Sequence, residues 1–299
     1  MNARRRIILT GATGLIGSAL TRRLAELGYE VISFRSRHDG PGGMNHLTGN
    51  IDQQTLEGAY AVIHLAGETI AQRWTKAAKE RILTSRRDGT SLLAQTLAAL
   101  RHKPAVFISM SGINRYGLRR GETLDETSSV SAEGFLPTVT EAWENAAKAA
   151  SEAGVRTVLL RTALVLSAAG GGLKKMLPAY RFGLGGPIGG GNQRMSWISL
   201  ADLIELIVWT LDNPAVHGPI NAVAPQPTTQ AEFARTLGSA LRRPSFLPLP
   251  GWVVSLLFGQ MGRETLLGDL AARPAAALAG GFRFATPDLS SALRQALRE

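Results

Sequence analysis

The residues with the strongest chemical implication stand near the start, Thr10-Gly11-Ala12-Thr13-Gly14-Leu15-Ile16-Gly17. They follow the apolar run Ile7-Ile8-Leu9 and lead into Leu20, Leu24 and Leu27, spaced as one face of a helix and closed by Gly28. A glycine turn between strand and helix is suited to holding a dinucleotide. Gly11 permits the tight turn, Gly14 lets the backbone approach a pyrophosphate, and Gly17 lets helix and strand pack closely. The backbone at Thr13, Leu15 and Ile16 then offers helix-terminal N–H groups and a positive dipole end to phosphate. The alternative is a tight turn that binds nothing.

A second candidate closes the second expected strand. An acidic residue there would grip the ribose 2′-hydroxyl of NAD and repel a 2′-phosphate. This chain carries Arg35 and Arg37 instead. A charge-assisted bond to phosphate is worth about 1.5–3 kcal/mol, so the pair predicts NADP(H) over NAD(H). Two solvated surface arginines are the competing account. Other chemistries find little support. The five histidines, His38, His46, His64, His102 and His217, show no metal-ligand spacing, so no metal is expected. No serine lies in a nucleophile elbow, and the absence of cysteine excludes disulfides and thiolate chemistry.

The elements that must position these residues alternate. Strands are expected at Glu30 to Phe34, around Leu47 to Ile51, at Ala61 to Gly67, at Val106 to Ser109 and at Thr157 to Leu160. Helices are expected at about Thr75 to Leu100 and Leu136 to Ala153. Such βαβα alternation implies a parallel sheet with helices on both faces. Beyond Arg161 the texture changes to glycine-rich loops around a short helix, Leu173 to Phe182. A helix at Asp202 to Leu211 and a strand at Pro219 to Val223 follow, the strand returning to the sheet. From Pro225 two or three helices and proline-rich turns follow, ending with Pro287-Asp288-Leu289 and a terminal helix. The expected fold is α/β, a Rossmann doubly wound parallel sheet with a smaller, mainly helical C-terminal substrate or lid region. Residues 1–165 form the first part, with 198–224 returning to it, and 166–197 with 225–299 form the second.

Composition fits that plan. With 299 residues the chain can bury a sizeable core, and 44% hydrophobic against 19% charged content is ordinary for a globular protein. The apolar stretch Trp252 to Phe258 is far short of the ~20 residues a membrane helix needs. Arg4-Arg5-Arg6 before an apolar run mimics an export signal, but the glycines and amphipathic helix behind it fit a first strand better. A cytoplasmic location is therefore expected. A net charge of +10 with scattered arginines implies solvated surface and attraction for an anionic ligand, not nucleic acid.

Several further pieces carry a resemblance in their order: His64-Leu-Ala-Gly67, Ser109-Met-Ser111 leading to Tyr116-Gly117, and Leu160-Arg161-Thr162. With the glycine turn they resemble the extended short-chain dehydrogenase/reductases. Arg73-Trp74-Thr75, Ser85-Arg86 with Gly89-Thr90, Ala142-Trp143-Glu144, Gly170-Gly-Gly-Leu173 and Ser196-Trp197-Ile198 are similar to one atypical branch, the epimerase-like SulA/YfcH-type proteins. Phe246-Leu-Pro-Leu-Pro250 through Pro287-Asp288-Leu289 looks like that branch's small terminal domain. The resemblance covers nearly the whole chain. It implies an NADP(H)-binding domain with a small-molecule substrate entering under the C-terminal portion; a homodimer is left open.

By the same resemblance Leu65, Ala66, Gly67 and Ser109 would line the cofactor, with Ala66 and Gly67 close to its inner ribose. Ser111 matches the superfamily serine that hydrogen-bonds a substrate carbonyl or hydroxyl. Ordinary members add Tyr-x-x-x-Lys, stacked one helical turn apart so that the cation lowers the tyrosine pKa from about 10. Here Val139 and Trp143 stand at those places, and none of the four tyrosines precedes a lysine by four. The usual acid–base pair is absent. What remains is Tyr116, as a donor or as loop packing, and Glu68, as a base or as a helix N-cap. Asn114, Trp143, Gln193 and Trp197 are candidates to line a substrate pocket, with core or loop roles as their alternatives. Two functions follow: an epimerase-like NADP(H) oxidoreductase acting on a sugar nucleotide or small carbonyl compound, or a non-catalytic NADP(H) sensor.

Overall fold

The structure, a computed structural model, describes residues 5–131 and 133–298, so Arg4 of the basic start lies outside it. Strand β1 (Arg6–Thr10) feeds α1 (Leu15–Glu26), which leads into β2 (Glu30–Ser36). Instead of one strand around Leu47, two short ones follow, β3 (Gly43–Asn45) and β4 (Asn50–Ile51). The physical cause is Asn45. Its side-chain oxygen accepts from the Leu47 N–H at 3.1 Å and its carbonyl from Gly49, a turn that leaves Leu47 exposed. A short helix α2 (Gln53–Leu56), β5 (Ala61–His64), the long α3 (Lys76–Ala99) and β6 (Val106–Gly112) come next.

After a two-residue strand β7 (Thr123–Leu124), the expected helix to Ala153 is divided into α4 (Phe135–Ala146) and α5 (Lys148–Glu152). At the break the Ala147 amide reaches back three residues to Glu144, a tighter 3₁₀ step. The chain continues through β8 (Arg156–Thr162), β9 (Leu164–Leu166), α6 (Gly171–Arg181), β10 (Arg194–Met195), β11 (Trp197–Ser199), α7 (Leu200–Asp212) and β12 (Gly218–Ala222). The remainder holds β13 (Thr228–Thr229), α8 (Gln230–Leu241), α9 (Gly251–Thr265), β14 (Ala271–Ala272), α10 (Ala275–Ala279) and α11 (Leu289–Ala296). The terminal helix expected after Pro287-Asp288-Leu289 is α11, and Gly259, at φ 58°, kinks α9.

The main sheet runs β12-β8-β6-β5-β1-β2-β3-β4, parallel except for β4. Alternation along β1 divides its burial: Ile7 and Leu9 join Leu20, Leu24 and the α7 side chains, while Ile8 faces Leu93, Leu97 and Phe107. Each fully buried aliphatic side chain contributes about 1.5–3 kcal/mol. A further cluster joins Leu173, Leu177, Phe233, Leu237 and Leu293 from α6, α8 and α11 around Trp197. Among the described residues no helix is long and apolar enough to cross a membrane. Strand order reverses between β1 and β5, and open α/β sheets bind ligands beyond the carboxyl ends at such a point.

Candidate functional site

The glycine turn lies at that reversal, and its packing leaves no room for side chains. Gly11 adopts φ +71°, and a Cβ on it would sit 2.9 Å from the Ala66 nitrogen. A Cβ on Gly17 would sit 2.1 Å from the Gly11 carbonyl oxygen. Gly14 begins α1 with no capping side chain and no acidic residue in the first turn. The amides there precede any helical acceptor and carry the positive end of the dipole. Thr13 is exposed beside them, with Leu15 and Ile16 half-buried in the first turn.

Thr10 ties this turn to the next one. Its hydroxyl oxygen accepts from the Leu65 amide at 3.1 Å and the Ala66 amide at 3.2 Å, and lies 2.7 Å from His64 Nδ1. With two amides on its oxygen, the hydroxyl donates its own proton to Nδ1. The His64 ring proton is then on Nε2, which has no partner. Burial, with the nearby Arg86 charge adding to it, pushes the His64 pKa down to about 4. His64 is a neutral core residue, and Thr10 holds the start of Leu65-Ala66-Gly67.

Arg35 and Arg37 are exposed at the end of β2. Arg35 Nη2 lies 2.6 Å from His38 Nε2 and 3.2 Å from the Pro41 carbonyl. Arg37, with φ 56°, reaches Glu68 Oε2 at 3.5 Å. Glu68 also accepts from Gln72 Nε2 at 3.2 Å and lies 3.8 Å from Arg81. The helix N-cap alternative for Glu68 is corrected here. Thr75 caps α3 instead, its hydroxyl accepting from the Ala78 amide at 3.2 Å.

At the carboxyl end of β6, Ser109 is fully buried and Ser111 nearly so. Ser111 Oγ donates to Glu144 Oε1 at 2.8 Å. Glu144 is gripped by both arms of Arg161, at 2.7 and 2.8 Å. Burial opposes the charge on Arg161, yet the Glu144 bonds and charge raise its pKa overall. With its proton committed to a carboxylate, Ser111 offers a ligand lone pairs and so suits a hydroxyl donor. Glu144 and Arg161 are functional candidates that spacing alone did not single out. The signal lay in Trp143-Glu144 and Leu160-Arg161, whose side chains meet only across α4 and β8.

Tyr116 does not reach an open site. It is fully buried, its hydroxyl donates to Asn221 Oδ1 at 2.8 Å, and burial raises its pKa. This makes it a packing residue and corrects the donor role considered for it. Val139 and Trp143, at the places of the missing pair, are both buried on α4. Trp143 meets Arg86, whose guanidinium lies 4.8 Å above its ring. Asn114 borders a cleft of about 260 Å³ with Ser131, Gly134, Pro137 and Glu264. Gln193 donates to the Ile188 and Leu266 carbonyls at 2.9 and 3.0 Å, bracing the glycine-rich loop. Trp197 is 1% exposed inside the α6–α8–α11 cluster, which corrects its pocket-lining role.

Comparison with known proteins accords with this geometry. Residues 7–223 match the NAD dependent epimerase/dehydratase family, and residues 249–296 match a domain of unknown function, DUF1731. The mouse epimerase family protein SDR39U1 is 37% identical over 293 residues, covering 97% of this chain and 98% of its own. A crystal structure of human SDR39U1, isoform 2, with NADPH superposes with TM-score 0.90 at 34% identity, covering 98% of this chain and 99% of that one. A nucleoside-diphosphate sugar epimerase from Corynebacterium glutamicum gives TM-score 0.80 at 31% identity over 99% of this chain and 58% of its own. By sequence over most of its length and by fold throughout, the chain belongs to the NAD dependent epimerase/dehydratase family.

Proposed function

We propose that this protein is an NADP(H)-binding, epimerase-like oxidoreductase acting on a small carbonyl compound or a sugar nucleotide. The observation that carries the coenzyme assignment is the glycine turn, where a Cβ at Gly17 would sit 2.1 Å from backbone oxygen. Only a bare backbone fits there, and it leaves the first-turn amides of α1 open to a diphosphate. Arg35 and Arg37 would take the 2′-phosphate, and no carboxylate ends β2 to repel it. The human relative solved with NADPH lends support. When bound, the nicotinamide supplies or accepts hydride.

This chain's own groups then position and polarise. Ser111, oriented by Glu144 and Arg161, would hold a substrate hydroxyl through its lone pairs. Glu68 lies beyond β5, its charge shared with Arg37 and Arg81. Positioning and electrostatic stabilisation would carry the reaction without the tyrosine–lysine pair. Residues 166–197 and 225–299 would form the region under which the substrate enters, and 1–165 with 198–224 the coenzyme domain.

The test is NADPH oxidation by purified protein against a panel of carbonyl compounds and sugar nucleotides, with product stereochemistry followed. Turnover abolished by Ser111→Ala with coenzyme affinity intact is the expected result. One observation favours the second reading, a coenzyme-dependent sensor: the Tyr116 hydroxyl is committed to Asn221 and α4 offers no replacement. Tight NADPH binding without turnover, together with a partner bound only in its presence, would decide for the sensor.

A further inference from the structure

The stretch Trp252 to Phe258, too short to span a membrane, opens α9 with Ser255 as its one polar residue. A helix that is apolar on every side is ordinarily buried. Here Val254 is buried, but Trp252 is 71% exposed and Leu256, one turn on, 73%. Leu257 is exposed as well. The segment before α9 continues the pattern, with Phe246 78% exposed and Leu247 beside it also in water.

These side chains belong to one surface. Residues 244–249 run beside 183–189: the Leu247 amide donates to the Gly185 carbonyl at 3.3 Å and the Leu249 amide to that of Pro187 at 2.8 Å. A Cβ on Gly183 would meet Pro244 at 3.2 Å, so exposed Phe182 and Leu184 flank the Phe246 segment. An aromatic side chain offers about 150–250 Å², so Phe182, Phe246 and Trp252 leave on the order of 450 Å² in water. With the four leucines, the patch exceeds what a soluble monomer ordinarily exposes without using it.

Positive charge surrounds the patch. Segments 166–197 and 225–263 carry eight lysines and arginines against one acidic residue, Glu232, so +7 of the chain's net +10 resides there. Among the described residues only Arg194 of the eight has a carboxylate partner, Asp269. Arg181, Arg242 and Arg243 are exposed at the margin, next in sequence to Phe182 and Pro244. A second copy would set like charge against like. The backbone favours lipid over protein: Pro244, Pro248 and Pro250 have no N–H, and the Leu247 and Leu249 amides are already bonded. Such a segment gives a protein few hydrogen-bond handles and brings little unpaired backbone into an apolar boundary.

We propose that Phe182, Phe246, Trp252 and Leu256, with Arg181, Arg242 and Arg243 at their margin, dock this protein reversibly on an anionic lipid bilayer. The apolar side chains enter the headgroup boundary, where tryptophan is favoured, and the protein lies on the membrane without spanning it. The arginines add an attraction to anionic lipid that salt screens. Docking requires no coenzyme.

The experiment is sedimentation of the full chain with vesicles of phosphatidylcholine, alone or mixed with phosphatidylserine, at low and high salt. Binding should be ten-fold or more tighter to the mixed vesicles and weakened by salt. Phe246→Ser with Trp252→Ser, and separately Arg242→Glu with Arg243→Glu, should each reduce it ten-fold or more. Arg22→Glu with Arg101→Glu, the same change of charge at exposed positions of the coenzyme domain, should leave it within three-fold. Trp252 is the exposed one of five tryptophans, so emission should shift to the blue on binding. Trp252→Phe should still bind and lose that shift. If the Phe246 and Trp252 double variant fails to fold, Phe182→Ser makes the same comparison. No binding to the mixed vesicles overturns the proposal. So does binding that both arginine pairs reduce equally and the apolar substitutions leave untouched, since that is bulk charge attraction. A dimer, or binding to polyglutamate, that the apolar substitutions abolish, with no vesicle binding, gives the surface to a second copy or an acidic protein and overturns it too.

Discussion

Lowering the pH should expose the cost of keeping His64 neutral. In the folded protein its ring is fully buried and faces the charge of Arg86, so its pKa falls from 6.5 to about 4. In the unfolded chain it titrates at its ordinary value. Between those two values the unfolded chain binds a proton that the folded protein refuses, so stability falls as pH falls. The full difference of about 2.5 units corresponds to about 3 kcal/mol, complete only below the folded value. From pH 7 to pH 5 the loss should be about 2 kcal/mol. His46, partly buried and shifted the same way, adds to the slope. Asp125, held at about 2 chiefly by its bonds from Thr127 and Arg273, titrates below this range. Urea unfolding of wild type and His64→Asn at the two pH values isolates the effect, because asparagine keeps an acceptor for Thr10 but does not titrate. The wild type should lose about 2 kcal/mol more than the variant. Equal losses would refute the reasoning, whatever the variant's absolute stability.

Replacing Arg35 and Arg37 together by alanine should weaken NADPH binding ten-fold or more, since each charge-assisted bond is worth about 1.5–3 kcal/mol, and leave NADH unchanged. Calorimetry with both coenzymes checks this, and equal losses would count against a 2′-phosphate contact. Glu144→Gln should cost about 3–5 kcal/mol in chemical denaturation because Arg161 is left buried without its counter-charge. A loss below about 1 kcal/mol would mean that solvent reaches the pair. Tyr116→Phe should cost about 1–3 kcal/mol by leaving Asn221 Oδ1 without its donor. Unchanged melting with lost turnover would return Tyr116 to a catalytic role.

Much of the framework was legible because it rests on local rules. The run Ile7-Ile8-Leu9, the glycines and the spacing of Leu20 and Leu24 specify strand, turn and helix with no reference to distant residues. The expected strand at Pro219 to Val223 is present as β12 and pairs with β8 at the edge of the sheet. The division of α4 from α5 and the two short strands around the Asn45 turn were not legible, because each depends on hydrogen bonds that apolar periodicity does not encode.

The site divides the same way. Sequence alone determined the glycine turn and the arginines at the end of β2. The positive φ of Gly11, the packing of Gly17 on the nearby Gly11 carbonyl and the sign of charge at a strand end are local properties, although the Ala66 backbone that crowds Gly11 is brought there by the fold. Tertiary structure alone decided the hydrogen bonds of Ser111 and Tyr116. Ser111 meets Glu144 from 33 positions away, and Tyr116 meets Asn221 from 105. A side chain's freedom to react depends on which partner the fold brings to it, and the fold draws those partners from remote strands and helices.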